Sequence, residues 1–273
     1  MNLQEFIDRH ALFVVSHSGG KDSQAMMIHL LRSGVPASQM VVIHACLGKV
    51  EWQGAKELAR ANAEAAGVPF IVATARRGLL QMVQERFENR PEVPSWPSSS
   101  TRQCTSDLKR GPIAREARRY AKARAFNLVV NCMGFRAEES PARAKRPVVA
   151  PVKSNTTKTR EWFDFLPILD WTTQEVFQAI ADDGQSSHPA YDARLVNGKW
   201  VTFGNDRLSC VFCIMGSARD MANGALYNPG LAREYIQMEA ETGYTMHMSR
   251  KPLAQLIREG AKAEPLNFVE EAA

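Results

Sequence analysis

LFVVSHSGGKDSQAMMIHLL, residues 12–31, joins a β-branched run to a glycine loop and then to a helical pattern. LFVVS (12–16) has the composition of a buried strand. Gly19 and Gly20 let the backbone turn tightly and bring amide N–H groups close to an anion, and a helix N-terminus behind them adds partial positive charge. Lys21 is placed to neutralise phosphate. Ser18 and Ser23 can donate hydroxyl hydrogen bonds, and Asp22 can cap the helix or hold Mg²⁺. A glycine-rich turn alone needs no ligand, but six such residues between a strand and a helix favour a phosphate loop. The Walker pattern, with four residues between its glycines and a Lys followed by Ser or Thr, is absent, which argues against a kinase or GTPase. Met26, Met27, Leu30 and Leu31 recur at helical spacing, so one face of the helix is expected to lie on a sheet.

Working outward, MVVIHA (40–45), PFIVAT (69–74) and NLVVNCMG (127–134) read as further strands, with helices expected over 51–66 and 79–88. Strands alternating with helices predict a parallel sheet covered on both faces. PEVPSWPSSS (91–100) carries three prolines and a serine cluster, so residues 89–102 are expected to form a long loop or a mobile lid. TTQEVFQAIADDG (172–184) reads as a capped helix, and further helices are expected near 231–241 and 253–259. The boundaries that follow are an α/β nucleotide domain over 1–170 and a small, mainly helical C-terminal region with a CxxC over 171–273.

The 273 residues are 45% hydrophobic and 23% charged, the balance of a globular chain. No run approaches the roughly 20 apolar residues of a membrane span, and the N-terminus lacks the features of a secretory signal, so a cytoplasmic location with no membrane association is expected. Between Arg102 and Arg160 there are fifteen Lys and Arg against four Asp and Glu, within a chain of net charge +5. That segment is expected to face something anionic. Arg115, Arg118, Arg119 and Lys122 read either as a solvated helix face or as part of a nucleic-acid surface.

SGGKDS resembles the signature of the PP-loop ATP pyrophosphatases, which split ATP between its α and β phosphates. HACLGKVEW (44–52), RQCTSDLKRGP (102–112), GFRAEESPAR (134–143), PILDWTTQEV (167–176), HPAYD (188–192) and RLSCVFCI (207–214) extend the likeness. Together they resemble the phosphoadenosine phosphosulfate reductase family, in particular its branch containing the DNA phosphorothioation proteins DndC and SspD and phage-encoded relatives. The resemblance implies a Rossmann-like α/β fold of the adenine nucleotide alpha hydrolase type. It also implies an ATP site formed by Ser16, Ser18, Gly19, Gly20, Lys21, Asp22, Ser23, His44 and Gly134, with adenine near His44. Lys21, Arg136 and Arg143 would face phosphate or substrate as the catalytic cations. The other reading of the two arginines is pairing with Glu138 and Glu139.

Five cysteines in such a chain suit metal ligation or buried thiols better than disulfides. Cys210-Val211-Phe212-Cys213 is a CxxC, shared by zinc sites, redox pairs and iron–sulfur sites. The family likeness adds Cys104 and implies a [4Fe–4S] cluster on Cys104, Cys210 and Cys213, with zinc or a dithiol pair as alternatives. Cys132 and Cys46 read as small buried hydrophobes. Thioredoxin-dependent reductases of the family carry a C-terminal Glu-Cys-Gly, whereas here the tail reads NFVEEAA, so reduction by that mechanism is not expected. The expected function is adenylation of an acceptor by ATP and Mg²⁺ with pyrophosphate release, for sulfur incorporation into DNA. A cysteine desulfurase would be the sulfur donor, DNA or a DNA-binding partner the acceptor side, and the chain a possible homo-oligomer. A sulfonucleotide reductase and a nonenzymatic nucleotide or nucleic-acid binder are the alternatives.

Overall fold

LFVVS does form the central strand, and the sheet around it is built from runs apolar on both faces. The computed structural model describes residues 1–262; the NFVEEAA tail lies outside them. In chain order the elements begin with α1 (Leu3–Asp8), β1 (Leu12–Ser16), α2 (Lys21–Arg32), β2 (Met40–Cys46), α3 (Ala55–Ala65), β3 (Phe70–Thr74) and α4 (Leu79–Asn89). The single turn α5 (Gln103–Thr105) and a π-helical turn over Ser106–Arg110 follow, then α6 (Gly111–Ala123), β4 (Leu128–Cys132), α7 (Pro141–Ala144), β5 (Val149–Pro151) and β6 (Glu161–Phe165). The chain continues with α8 (Thr173–Asp182), β7 (Ala193–Val196), β8 (Lys199–Thr202), α9 (Ala218–Tyr227), α10 (Pro229–Thr242) and α11 (Leu253–Gly260).

Six strands form one sheet in the order β3-β2-β1-β4-β6-β5. β1 runs parallel to β2 and β4, β4 parallel to β6, and the short edge strand β5 pairs antiparallel with β6. Alternate residues of one strand face opposite layers. Phe13 and Val15 join Met26, Leu30, Val176 and Ile180 in one core. Leu12 and Val14 join Ala114, Ala117 and Ala121 in the other. Helices therefore cover both faces, as expected of this Rossmann-like architecture. On α6 the three alanines form a narrow stripe that lets the helix lie close to the sheet, which leaves its cations on the opposite side.

The chain divides into two compact units, and neither ends at residue 170. The first comprises residues 1–45, 54–73 and 111–188; the second comprises 46–53, 74–110 and 189–273. The expected boundary is corrected because α8, capped by Thr172 and Glu175, packs on α2 and completes the first core. The second unit holds α4, the β7–β8 hairpin and α9–α11. Two other expectations change. The helix expected from residue 51 begins at Ala55, since Gly54 adopts φ +89° and Glu51 forms a β-bridge with Cys210. The proline-rich stretch is a loop, but Ser95, Trp96 and Pro97 at its centre are buried and Trp96 stacks on Tyr235 at 5.4 Å, so it is anchored rather than a lid.

Candidate active site

Strand order reverses direction at β1, with β2 on one side and β4 on the other, and such a switch point is where open α/β sheets bind ligands. The phosphate loop leaves β1 there and Gly134 follows β4 there. Two glycines are required by geometry. Gly19 has φ +75° and an added Cβ would lie 2.3 Å from the Ala55 carbonyl oxygen; at Gly134 a Cβ would lie 2.7 Å from the Asp22 carbonyl oxygen.

The loop is closed by its own groups. Ser18 N–H donates to Ser23 Oγ at 3.2 Å, and Ser23 Oγ donates to the Gly20 carbonyl at 2.8 Å. Ser18 is exposed at the tip, while Gly19, Gly20, Lys21 and Ser23 are buried. Ser16 turns into the sheet instead: its hydroxyl donates to Asn131 Oδ1 at 3.2 Å, and Asn131 Nδ2 donates to Asp164 Oδ1 at 2.9 Å.

Asp22 does not cap α2, whose N-cap is Gly20 with no side-chain hydrogen bond. It clamps two cations. Lys21 Nζ lies 3.2 Å from Asp22 Oδ2, and Arg136 Nε donates to Asp22 Oδ1 at 2.6 Å. Burial would raise the Asp22 carboxyl, but Lys21 and Arg136 hold it below the usual carboxylate value. Lys21 is itself buried, 5.9 Å from the Phe177 ring centroid. Arg136 also pairs with Glu138 and donates to the Trp171 carbonyl at 3.3 Å, and Arg143 pairs with Glu139 while lying 4.3 Å over the Phe135 ring. Both arginines thus make the carboxylate pairs of the alternative reading, with Asp22 an added partner for Arg136. The pair with Asp22 fixes the Arg136 guanidinium beside the loop.

His44 is fully buried and its Nδ1 lies 2.8 Å from the His17 carbonyl oxygen, so it supports the loop from beneath rather than offering a surface to adenine. Sequence reasoning missed His17. Its Nδ1 accepts the Gly19 N–H at 3.0 Å, which leaves the ring proton on Nε2, and the Asn62 side-chain amide lies 3.3 Å from that nitrogen. Burial, with His44 nearby, pushes the His17 pKa down to about 3. The only sequence signal was a histidine between a strand and a glycine pair. Because the folded value lies below the unfolded one of about 6.5, the folded state favours the neutral ring, and stability present above pH 6.5 is lost as pH falls toward 3. Across pH 6 to 4 the unfolding free energy of His17→Asn is expected to fall less steeply than that of the wild type, by up to about 1.4 kcal/mol per pH unit. Parallel urea titrations of the two proteins check this, and equal slopes would remove His17 from that role.

The second unit gathers Cys104, Cys210 and Cys213 near Lys109. Burial raises the Cys104 thiol and pushes Cys210 up to about 11, against the lowering influence of Lys109 on both. Burial would lower the Lys109 ammonium, but the three sulfurs and Glu51 raise it overall. Among the described residues no three His, Cys, Asp or Glu side chains stand as a ready metal-ligand set. The donor set nevertheless suits a thiophilic centre: three thiols share one electrostatic neighbourhood with a cation that offsets thiolate charge. Sequence reading assigned Lys109 no role, since a π-helical turn over 106–110 sets its direction. Cys132 is a buried thiol raised by its apolar surroundings, as expected, while Cys46 is only half-buried.

A glycine loop at the switch point of a mostly parallel sheet defines an α/β protein of the kind that takes its ligand at that point. The phosphoadenosine phosphosulfate reductase domain model matches residues 12–215, and the chain belongs to that family, whose name denotes nucleotide sulfur chemistry. It is similar to an uncharacterised 37.8 kDa protein of Escherichia phage 186, 28% identical over 127 residues, covering 46% of this chain and 34% of that protein. It is also similar to phosphoadenosine 5'-phosphosulfate reductase of Pectobacterium atrosepticum, 39% identical over 59 residues, 22% of this chain and 21% of the reductase. The matches thus span about a third and a fifth of those relatives. The crystal structure of the Candida auris reductase in a phosphate complex aligns with a TM-score of 0.43 and 16% identity, over 70% of this chain and 84% of that one. No described helix is long and apolar enough to cross a membrane.

Proposed function

We propose that the protein is an ATP pyrophosphatase that adenylates an acceptor for sulfur incorporation, and that the acceptor is a DNA phosphate. The observation that carries the reading is the Lys21–Asp22–Arg136 constellation at the start of α2, beside the closed glycine loop. An acceptor oxygen would attack the α-phosphorus, the bond to the β-phosphate oxygen would break, and pyrophosphate would leave with that oxygen. The outer sulfur of a persulfide formed by a cysteine desulfurase would then attack the adenylated phosphorus and displace AMP, and a thiol reductant would cleave the resulting S–S bond, leaving the sulfur on the acceptor and the carrier sulfur in a disulfide with that thiol. Such chemistry asks the protein for positioned cations rather than a covalent intermediate. Lys21 and Arg136 supply positive charge that Asp22 holds in place. Both Asp22 oxygens are occupied by cations, so Mg²⁺ would arrive on the nucleotide's phosphates.

In the same reading Cys104, Cys210 and Cys213 hold a [4Fe–4S] cluster, leaving one iron for another ligand or for sulfur; when bound, the cluster would supply a site that carries sulfur or electrons. Lys109 would offset the thiolate charge. In this reading the enzyme acts in the cytoplasm as a homo-oligomer. The test is pyrophosphate release from ATP and Mg²⁺, with AMP formed in equal amount when acceptor DNA is present. The named reductase relatives favour a second reading, reduction of a sulfonucleotide. Sulfite release from phosphoadenosine phosphosulfate without ATP turnover would select it, and ATP binding with neither product would select a nonenzymatic binder.

A further inference from the structure

Arg115, Arg118, Arg119 and Lys122 fall three, four and seven residues from the first, on one face of α6. With Arg160, Thr159 and Phe126 they line a groove of about 430 Å³. The charge in it is unevenly compensated. Arg115 and Arg119 share the single carboxylate of Glu116, at 2.8 and 3.2 Å. Arg118 and Arg160 turn instead to neutral acceptors of one residue: Arg118 Nη1 donates to Asn155 Oδ1 at 2.9 Å, and Arg160 donates to the Asn155 carbonyl at 3.0 and 3.2 Å. Asn155 thereby draws two guanidiniums to one place, and burial together with Arg118 lowers the Arg160 pKa. Crowding like charges in this way is costly unless an anion is bound among them.

The groove is not part of the phosphate site. Phe126 lies two residues before β4 and Arg160 directly before β6, where those strands start, whereas the phosphate loop leaves β1 where it finishes. These strands are parallel and five residues long, so the end of the groove and the loop are separated by roughly 16 Å along the sheet. From Arg115 to Lys122 the cations extend about 10 Å along the helix, enough for successive phosphates of one strand but not for a single small anion. A lipid surface fits less well, because α6 turns its apolar stripe into the sheet and offers a concave, cationic face.

We propose that this groove is a docking track for the sugar-phosphate backbone of a nucleic-acid strand, holding it at a distance from the phosphate loop. The proposal adds a binding surface to the function proposed above, and its test needs no ATP. Fluorescence anisotropy with a labelled 20-nucleotide single strand, the same sequence as duplex DNA, and its RNA counterpart provides the readout. If four of the five cations neutralise phosphates, affinity is expected to fall roughly 50- to 150-fold between about 50 and 200 mM salt, because the slope is about −0.7 per contact for a single strand and −0.9 for a duplex.

Arg115→Gln, Arg119→Gln and Lys122→Gln combined remove exposed charges and are expected to weaken binding at least tenfold and to flatten the slope, with an unchanged unfolding midpoint. Arg118→Gln with Arg160→Gln is expected to do the same to binding. Lys56→Gln with Arg60→Gln removes as many charges from α3 as that double variant and is expected to leave affinity and slope near the wild-type values. The track is overturned if the triple variant binds like the wild type, if the α3 variant weakens binding equally, if the wild type shows no binding at 50 mM salt, or if only phosphatidylserine vesicles are bound. DNA binding without pyrophosphate release would uphold the track and overturn the proposed enzyme; the converse would do the opposite.

Discussion

Lys21→Ala is expected to lower pyrophosphate release by about 100- to 1,000-fold, the loss seen when one preorganised charge-stabilising donor is removed from an active site. Lys21 is the first residue of α2, where backbone amides and the helix dipole already favour an anion. Its ammonium is the group on that turn that can meet negative charge developing on leaving pyrophosphate. The side chain is also buried and holds Asp22 from one side, so Ala leaves a void and a carboxylate balanced by Arg136 alone. That structural cost is about 1–3 kcal/mol. Lys21→Met keeps most of the volume and removes only the charge, so it separates chemistry from folding. A Met variant that unfolds at the wild-type temperature and releases pyrophosphate at the wild-type rate would overturn the assignment of Lys21.

Protein purified without oxygen is expected to be brown and to carry roughly four iron and four acid-labile sulfide per chain, and Cys210→Ser or Cys213→Ser is expected to abolish both. The serine variants are close in size to the native residue, so a lost cluster would not reflect lost packing. Cys210 is buried beside the β-bridge to Glu51 and its thiol is pushed up to about 11, so in the metal-free chain it stays protonated at neutral pH. Metal binding must displace that proton, which makes loading pH-dependent and assisted by the nearby Lys109 ammonium. One zinc per chain in a colourless sample would select the zinc alternative, and a metal-free, folded chain would leave the dithiol reading.

LFVVS, MVVIHA, PFIVAT and NLVVNCMG were legible as strands because a sheet covered by helices on both faces leaves runs rich in apolar and β-branched residues that no distant contact is needed to recognise. The same holds for SGGKDS, whose glycines and hydroxyls are adjacent in the chain and whose function as a loop depends on local backbone conformation. The cation excess over residues 102–160 was likewise countable. Its destination was not: α6 places Arg115 to Lys122 along a groove near the starting ends of β4 and β6, while Arg136 and Arg143 from the same stretch are drawn into carboxylate pairs, that of Arg136 with Asp22 lying beside the phosphate loop.

By itself, then, the sequence determined the α/β class, the glycine loop between β1 and α2 and the presence of a basic segment, because each is written in short-range periodicity or in composition. Only the tertiary structure decided that Asp22 answers to Arg136, 114 residues away, that His17 rather than a ligand takes the Gly19 amide, and that Cys46–Gln53 and the 74–110 stretch belong with the C-terminal unit. The physical reason is strand order. β4 inserts beside β1 and brings the chain after it against the start of α2, and pairing between segments so distant leaves no periodic trace in either of them.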